Sequence, residues 1–216
     1  MHILSLIEQY ELQFSNNNYF GDIGVDPSYS IVEGSLPVLV SAPHAINHFR
    51  EHAVKPADMY TGSLALLLQK LTNCYCIYSN SFSKEDPNYI LGGEYKAALR
   101  ALVKEHRIQF VIDLHGASKL REFDIDLGTL YGTSIRENNL NDVVGIFNNN
   151  GITKVRQNHT FSASHPGTIT SYCAKELLVQ SIQIEINRNY RNPNAFDLFQ
   201  KTIHSLEQII KLLGGV

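Results

Sequence analysis

Cysteine is scarce and odd in number, with three in 216 residues. A disulfide framework is therefore not expected. Cys74 and Cys76 lie two apart in the apolar run Cys74-Tyr75-Cys76-Ile77-Tyr78 and share one face of a strand, so they read as buried free thiols rather than metal ligands. A reduced, cytoplasmic compartment is the corresponding expectation. No sign of charge dominates: 18 Lys and Arg stand against 21 Asp and Glu, for a net charge of -3. The basic residues are scattered, which excludes a footprint for a phosphate backbone and makes nucleic acid an unexpected partner. No apolar stretch approaches the roughly 20 residues of a membrane span. The opening residues Met1 to Glu8 lack the positive segment and long apolar core of a secretory signal. No linker rich in Pro, Gly or Ser divides the chain, and no internal repeat is found, so one domain over residues 1–216 is expected. A hydrophobic content of 44% with 18% charged residues belongs to an ordinary globular protein.

What the chain does have is a trio of short apolar runs, each ending in a residue able to bind or serve a metal: Val38 to His44, Phe110 to His115, and Ile182 to Glu185. Each reads as a buried strand. Around them strands and helices alternate. Helical spacing is expected in Asp58–Thr72, Glu94–His106, Asn138–Phe147, Ile169–Glu176 and Ala195–Leu213. Strands are expected at Tyr75–Ser79, Ile125–Leu130 and Lys154–Gln157, with a further one at Ser28–Val32. Residues 1 to 35 otherwise show only turn signals, at Asn16-Asn17-Asn18 and 21–27, and the stretch before Pro56 reads as a loop. The alternation predicts a single three-layer α/β/α domain around a mostly parallel or mixed sheet, and such sheets place ligands at the C-terminal ends of their strands.

The three strand ends carry the chemistry. His44 follows Pro43, which suits a strand end, and His115 precedes Gly116, which permits a tight turn beside a ligand. Two imidazoles and a carboxylate at one sheet edge suit one Zn²⁺ or another divalent ion with a position left open for water. The spacing leaves the third ligand open between the His48/Glu51 pair, which would share one face of a helical turn, and Asp58, whose alternative role is a helix cap. Glu185 interrupts an apolar strand. Burying its carboxylate is costly without a partner such as Arg188 or Arg191, and the functional reading is a general base. Asp113 is placed to accept the second ring N–H of His115. Arg121, Arg188 and Arg191 are candidates to grip a substrate carboxylate.

These motifs resemble the N-formylglutamate amidohydrolase family. The resemblance rests on Pro43-His44-Ala45, Asp58, Asp113-Leu114-His115, Leu127-Gly128-Thr129, Gly167-Thr168-Ile169-Thr170 and Gln183-Ile184-Glu185, in order from about residue 37 to residue 191. It implies a zinc-dependent hydrolase with a carboxypeptidase-like fold, His44, Asp58 and His115 as ligands and Glu185 as base. That favours Asp58 in the third-ligand question. The implied reaction is hydrolysis of the amide C–N bond of a small N-acyl amino acid such as N-formylglutamate, with Asn88, Arg121 and Arg188 as substrate contacts. A metallo-carboxypeptidase or cell-wall peptide amidase on the same site, or a non-catalytic module on the scaffold, are the alternatives. The chain departs from better-characterised members in having Ile46 after Pro-His-Ala, and Asp86-Pro87-Asn88-Tyr89 where they carry an Asn-Arg pair.

Overall fold

The computed structural model describes residues 3–22, 24–83 and 85–216. Met1 and His2 of the signal reading, and Ile23 within the 21–27 turn reading, lie outside the described residues. Among the described residues, nine strands and six α-helices follow one another. The strands are β1 (Tyr29–Val32), β2 (Leu36–Ala42), β3 (His48–Arg50), β4 (Ala53–Lys55), β5 (Cys74–Ser79), β6 (Phe110–Ala117), β7 (Ile125–Gly128), β8 (Val155–Gln157) and β9 (Gln180–Asn187). The helices are α1 (Ile3–Tyr19), α2 (Thr61–Thr72), α3 (Glu94–Glu105), α4 (Glu137–Asn149), α5 (Ile169–Tyr172) and α6 (Phe196–Leu213). A π-helical turn, Cys173–Leu177, continues α5, and a 3-10 turn, Arg188–Arg191, follows β9.

Seven strands make one sheet in the order β1-β5-β2-β6-β9-β7-β8. Pairing is parallel from β5 through β2 and β6 to β9, and again between β7 and β8. It is antiparallel at β1 with β5 and at β7 with β9. The sheet is thus mixed, as expected, with helices on both faces. One face buries Val38, Val40, Cys76, Ile112, Leu114, Ile182, Ile184 and Ile186 beneath α1, α2, α4 and α6. The other buries Leu39, Ile77 and Val111 beneath α3, α5 and the π-helical turn. Because successive strand residues alternate faces, Asp113, His115, Gln183 and Glu185 project on the Leu39 side, at the C-terminal ends of β6 and β9. Burial of each large aliphatic side chain contributes about 1.5–3 kcal/mol, and that rigid floor is what places the strand ends.

Two elements depart from the sequence expectation. Residues 3–15 are helical where no helix was expected, because α1 mixes polar residues into its apolar stripe and is held by tertiary contacts. Its Glu11 accepts hydrogen bonds from the Tyr60 N–H (3.0 Å) and the Ser63 hydroxyl (2.6 Å), and so caps α2, whose own Tyr60 supplies no side-chain cap. The Asn17 and Asn18 turn survives as left-handed backbone that asparagine tolerates. The expected loop before Pro56 contains the β3–β4 hairpin, whose three-residue strands are too short to show a period. No helix among the described residues is long and apolar enough to cross a membrane.

Candidate metal centre

Beyond the end of β2 the chain turns, and His44 enters the space above the sheet; the Asp58 N–H donates to the His44 carbonyl at 2.8 Å, pinning the two segments together. His115 reaches the same point from β6. Three donor atoms converge there: His44 Nδ1 and His115 Nδ1 are 3.0 Å apart, His115 Nδ1 and Asp58 Oδ2 are 3.2 Å apart, and His44 Nδ1 and Asp58 Oδ2 are 3.4 Å apart. Bonds of about 2.0–2.1 Å in a tetrahedron set donors about 3.3 Å apart, so this triangle has the dimensions of three corners around one ion. All three residues are buried, and they are the group among the described residues able to hold a metal together.

The outer nitrogens are fixed as well. His44 Nε2 lies 2.8 Å from Asp86 Oδ1, and His115 Nε2 lies 3.0 Å from Asp113 Oδ2. A carboxylate on Nε2 holds the proton there and presents Nδ1 as a lone pair, the arrangement metal-ligating histidines use. Each carboxylate is anchored in turn. Asp113 accepts the Ser41 hydroxyl at 3.0 Å, and Asp86 accepts the Arg50 Nε–H at 2.8 Å and the Asn88 N–H at 2.9 Å. Burial disfavours a charged His115 ring, yet Asp113 and Asp58 outweigh it and push its pKa up to about 10. Burial would raise Asp58, but Lys55 and the two histidines hold its carboxyl well below the usual range. Asp113 and Asp58 thus set negative charge against both nitrogens of the His115 ring.

Glu185 stands beside His115 across the β6–β9 ladder. Burial pushes its pKa up to about 7, against the opposing pull of His115. Gln183, on the same strand face, donates its amide N–H to Glu185 Oε1 at 3.0 Å. A cavity of about 450 Å³ opens over the group and is lined by His44, Asp58, His115 and Glu185 together with Arg50, Lys55 and the 161–165 loop. That loop is carried by a buried carboxylate: Asp126 accepts the N–H groups of His159, Thr160 and Phe161 at 3.1, 2.7 and 2.9 Å.

The other sequence candidates divide. Asn88 lines the cavity, but its side-chain carbonyl is committed to the Ile169 N–H at 2.7 Å. Arg121 is exposed with its guanidinium over the Phe161 ring. Arg188 lies in an adjoining groove that shares Lys55, Asp58 and Gly116 with the first cavity. His48 is buried and bonded to the Pro43 carbonyl at 2.6 Å, while Glu51 sits exposed in the hairpin turn with the Tyr89 hydroxyl as its donor, so the pair does not share a helical face. Asp58 does not cap α2 with its side chain. Gly116 is not in a tight turn; it lies within β6. Arg191 bonds backbone carbonyls rather than Glu185.

Several residues that build the site were not singled out from sequence: Asp86, Arg50, Gln183, Asp126 and Lys96. Lys96 is buried with its ammonium on the carbonyls of Pro87 (2.5 Å), Ile90 (2.6 Å) and Gly167 (2.7 Å), so it ties the Asp86–Ile90 loop to the loop preceding α5. Asp86-Pro87-Asn88 has the composition of a turn, and nothing local to it points to His44.

With this geometry the chain can be set beside known structures. It is similar to the crystal structure of an N-formylglutamate amidohydrolase from Ralstonia eutropha JMP134, with a TM-score of 0.67 and 16% identity over 88% of this chain and 99% of that one. The two share a fold. A bacteriophage poly-gamma-glutamate hydrolase is similar at a TM-score of 0.56 and 16% identity, covering 88% of this chain and 90% of that chain. A gene product from Agrobacterium tumefaciens follows at 0.55 and 12% identity, covering 88% and 93%. No family model and no curated protein matches the chain.

Proposed function

We propose that the chain is one hydrolase domain, a metal-dependent amidohydrolase that cleaves the amide C–N bond of a small N-acyl amino acid of the N-formylglutamate kind. The observation that carries this reading is the triangle of His44 Nδ1, His115 Nδ1 and Asp58 Oδ2, its outer nitrogens locked by Asp86 and Asp113, beside a buried carboxylate with a pKa near 7. The similarity of fold to a structure described as an N-formylglutamate amidohydrolase supports it. His44, Asp58 and His115 would hold a single divalent ion, for which Zn²⁺ suits the nitrogen and oxygen donors. Such an ion supplies Lewis acidity that polarises an acyl oxygen and acidifies a water.

The chain's own residues do the rest. Glu185 takes the proton of the attacking water on its Oε2 oxygen and passes it to the leaving nitrogen. A pKa near 7 suits both halves of that transfer. Gln183 holds Oε1 and so fixes which oxygen works. Arg50 and Lys55, the cations lining the cavity, offer charge-assisted hydrogen bonds to a substrate carboxylate, with Asn88 on the same wall and Arg188 in the adjoining groove. Arg121 packs over Phe161 at the rim. A second reading, a peptidase or amidase for a longer substrate, is favoured by the way the cavity and the groove meet at Lys55, Asp58 and Gly116. Amine release from a panel of N-acyl amino acids by zinc-loaded protein tests the first reading. Turnover only of oligomeric peptides favours the second, and no turnover by a metal-loaded chain contradicts both.

A further inference from the structure

Arg191 touches neither the cavity of the metal centre nor Glu185, yet its contacts reach three segments that carry the centre. It is buried, and its guanidinium donates to three backbone carbonyls: Nη1 to Met59 at 2.6 Å, Nη2 to Ala117 at 3.2 Å and Nε to Ile186 at 3.1 Å. Met59 is the residue after Asp58, Ala117 is two beyond His115, and Ile186 is the residue after Glu185. A guanidinium is planar with its donors in fixed directions, so three acceptors bonded to one group are set relative to one plane. The two strand ends are already laddered to each other, through Gly116 opposite Ile186. The Asp58–Met59 segment belongs to no strand, and it is the one the guanidinium fastens to them.

The local sequence makes room for this. A Cβ built on Gly116 would lie 2.5 Å from the Arg191 Cζ and Nε atoms and 2.6 Å from Nη2. Only glycine between His115 and Ala117 admits the guanidinium at that depth.

We infer that Arg191 is a positioning residue of the metal centre, holding the Asp58 carboxylate in register with His115 and Glu185. The inference rests on the metal-centre reading above. It is tested with Arg191→Met, which keeps much of the side-chain volume and removes every donor, and with Gly116→Ala, which keeps the arginine and drives a methyl at it. Zinc affinity is measured by chelator competition, the visible absorption of Co²⁺-loaded protein reports ligand geometry, and urea unfolding gives stability. Phe147→Leu, in the core on α4, serves as a control that lowers stability without touching the brace. Both test variants are expected to lose on the order of 10–100-fold in zinc affinity, as removal of the groups behind a ligand typically does, with a changed cobalt spectrum. The control should lose stability and keep both. Should Arg191→Met fail to fold, Gly116→Ala carries the comparison. Wild-type affinity and an unchanged cobalt spectrum in a folded test variant would overturn the inference while leaving the metal reading intact. A wild type that takes up no divalent ion overturns both.

Discussion

Asp86→Asn is the change that separates a shaped metal site from a chance meeting of side chains. Asp86 is buried and serves three partners: His44 Nε2 at 2.8 Å, the Arg50 guanidinium at 2.8 and 2.5 Å, and the Asn88 N–H at 2.9 Å. Burial would raise its pKa, but His44, His48 and Arg50 hold it far below the usual carboxylate range, so it carries a negative charge at neutral pH. Asparagine keeps the shape and one acceptor and loses the charge. His44 then loses the anion that fixes its tautomer, and loss of such a partner costs about 10–100-fold in metal affinity, or about 1.4–2.7 kcal/mol. The effect on folding is smaller. The Arg50 side chain is 30% exposed, so its pair with Asp86 sits nearer the 0–1 kcal/mol of surface pairs than the 3–5 kcal/mol of buried ones. Together with a weakened bond to His44, roughly 1–2 kcal/mol of stability should be lost. Chelator competition for zinc and urea unfolding, both at pH 7.5, give the two numbers. A variant that binds zinc within twofold of wild type would refute the claim that Asp86 orients His44.

Glu185→Gln should retain the fold and the metal and lose on the order of 10² to 10⁴ in rate, measured as amine release on the best substrate. The same variant has a stability signature in metal-free protein. The folded pKa of about 7 lies above the ordinary 4.5, so the glutamate's favourable contribution is whole below pH 4.5 and is lost as pH rises through 7. Glutamine should therefore stabilise metal-free protein at pH 8 by the order of 1–3 kcal/mol and have little effect at pH 4; equal effects at the two pH values would contradict the burial of a charge there. Lys96→Met leaves the carbonyls of Pro87, Ile90 and Gly167 without their donor and should lower stability by about 2–4 kcal/mol in urea unfolding, whereas a loss under 1 kcal/mol would show that the two loops are held otherwise. Amidating the substrate carboxylate should lower kcat/KM far more than adding one methylene to the acyl chain, which is worth about 1–3 kcal/mol. Equal turnover of acid and amide would mean that the cavity's Arg50 and Lys55 do not read that group.

The parts of the fold legible in the sequence are those with strong local periodicity. The apolar runs ending at His44, His115 and Glu185 are β2, β6 and β9, and the helical spacings at 58–72, 94–106, 138–147 and 195–213 fall on α2, α3, α4 and α6. The strand ends could be read because a polar residue closing a buried run is conspicuous. Helix α1 could not, since its docking depends on Glu11 meeting Tyr60 and Ser63 about 50 residues on, and neither end of that contact is unusual by itself. The same holds for Asp86 and His44, 42 residues apart, and for Lys96 and Gly167, 71 apart. Gly116 shows how a correct residue can carry a wrong reason. Its lack of a side chain serves the approach of Arg191, from another element, and not a turn of its own.

The central claim is that one divalent ion sits between His44, Asp58 and His115. Anomalous diffraction at the zinc edge from crystals of zinc-loaded protein tests it most directly. A single peak is expected, with His44 Nδ1, His115 Nδ1 and an Asp58 carboxylate oxygen at about 2.0–2.2 Å. A peak at His48 and Glu51 instead, or none at full zinc loading, would contradict it.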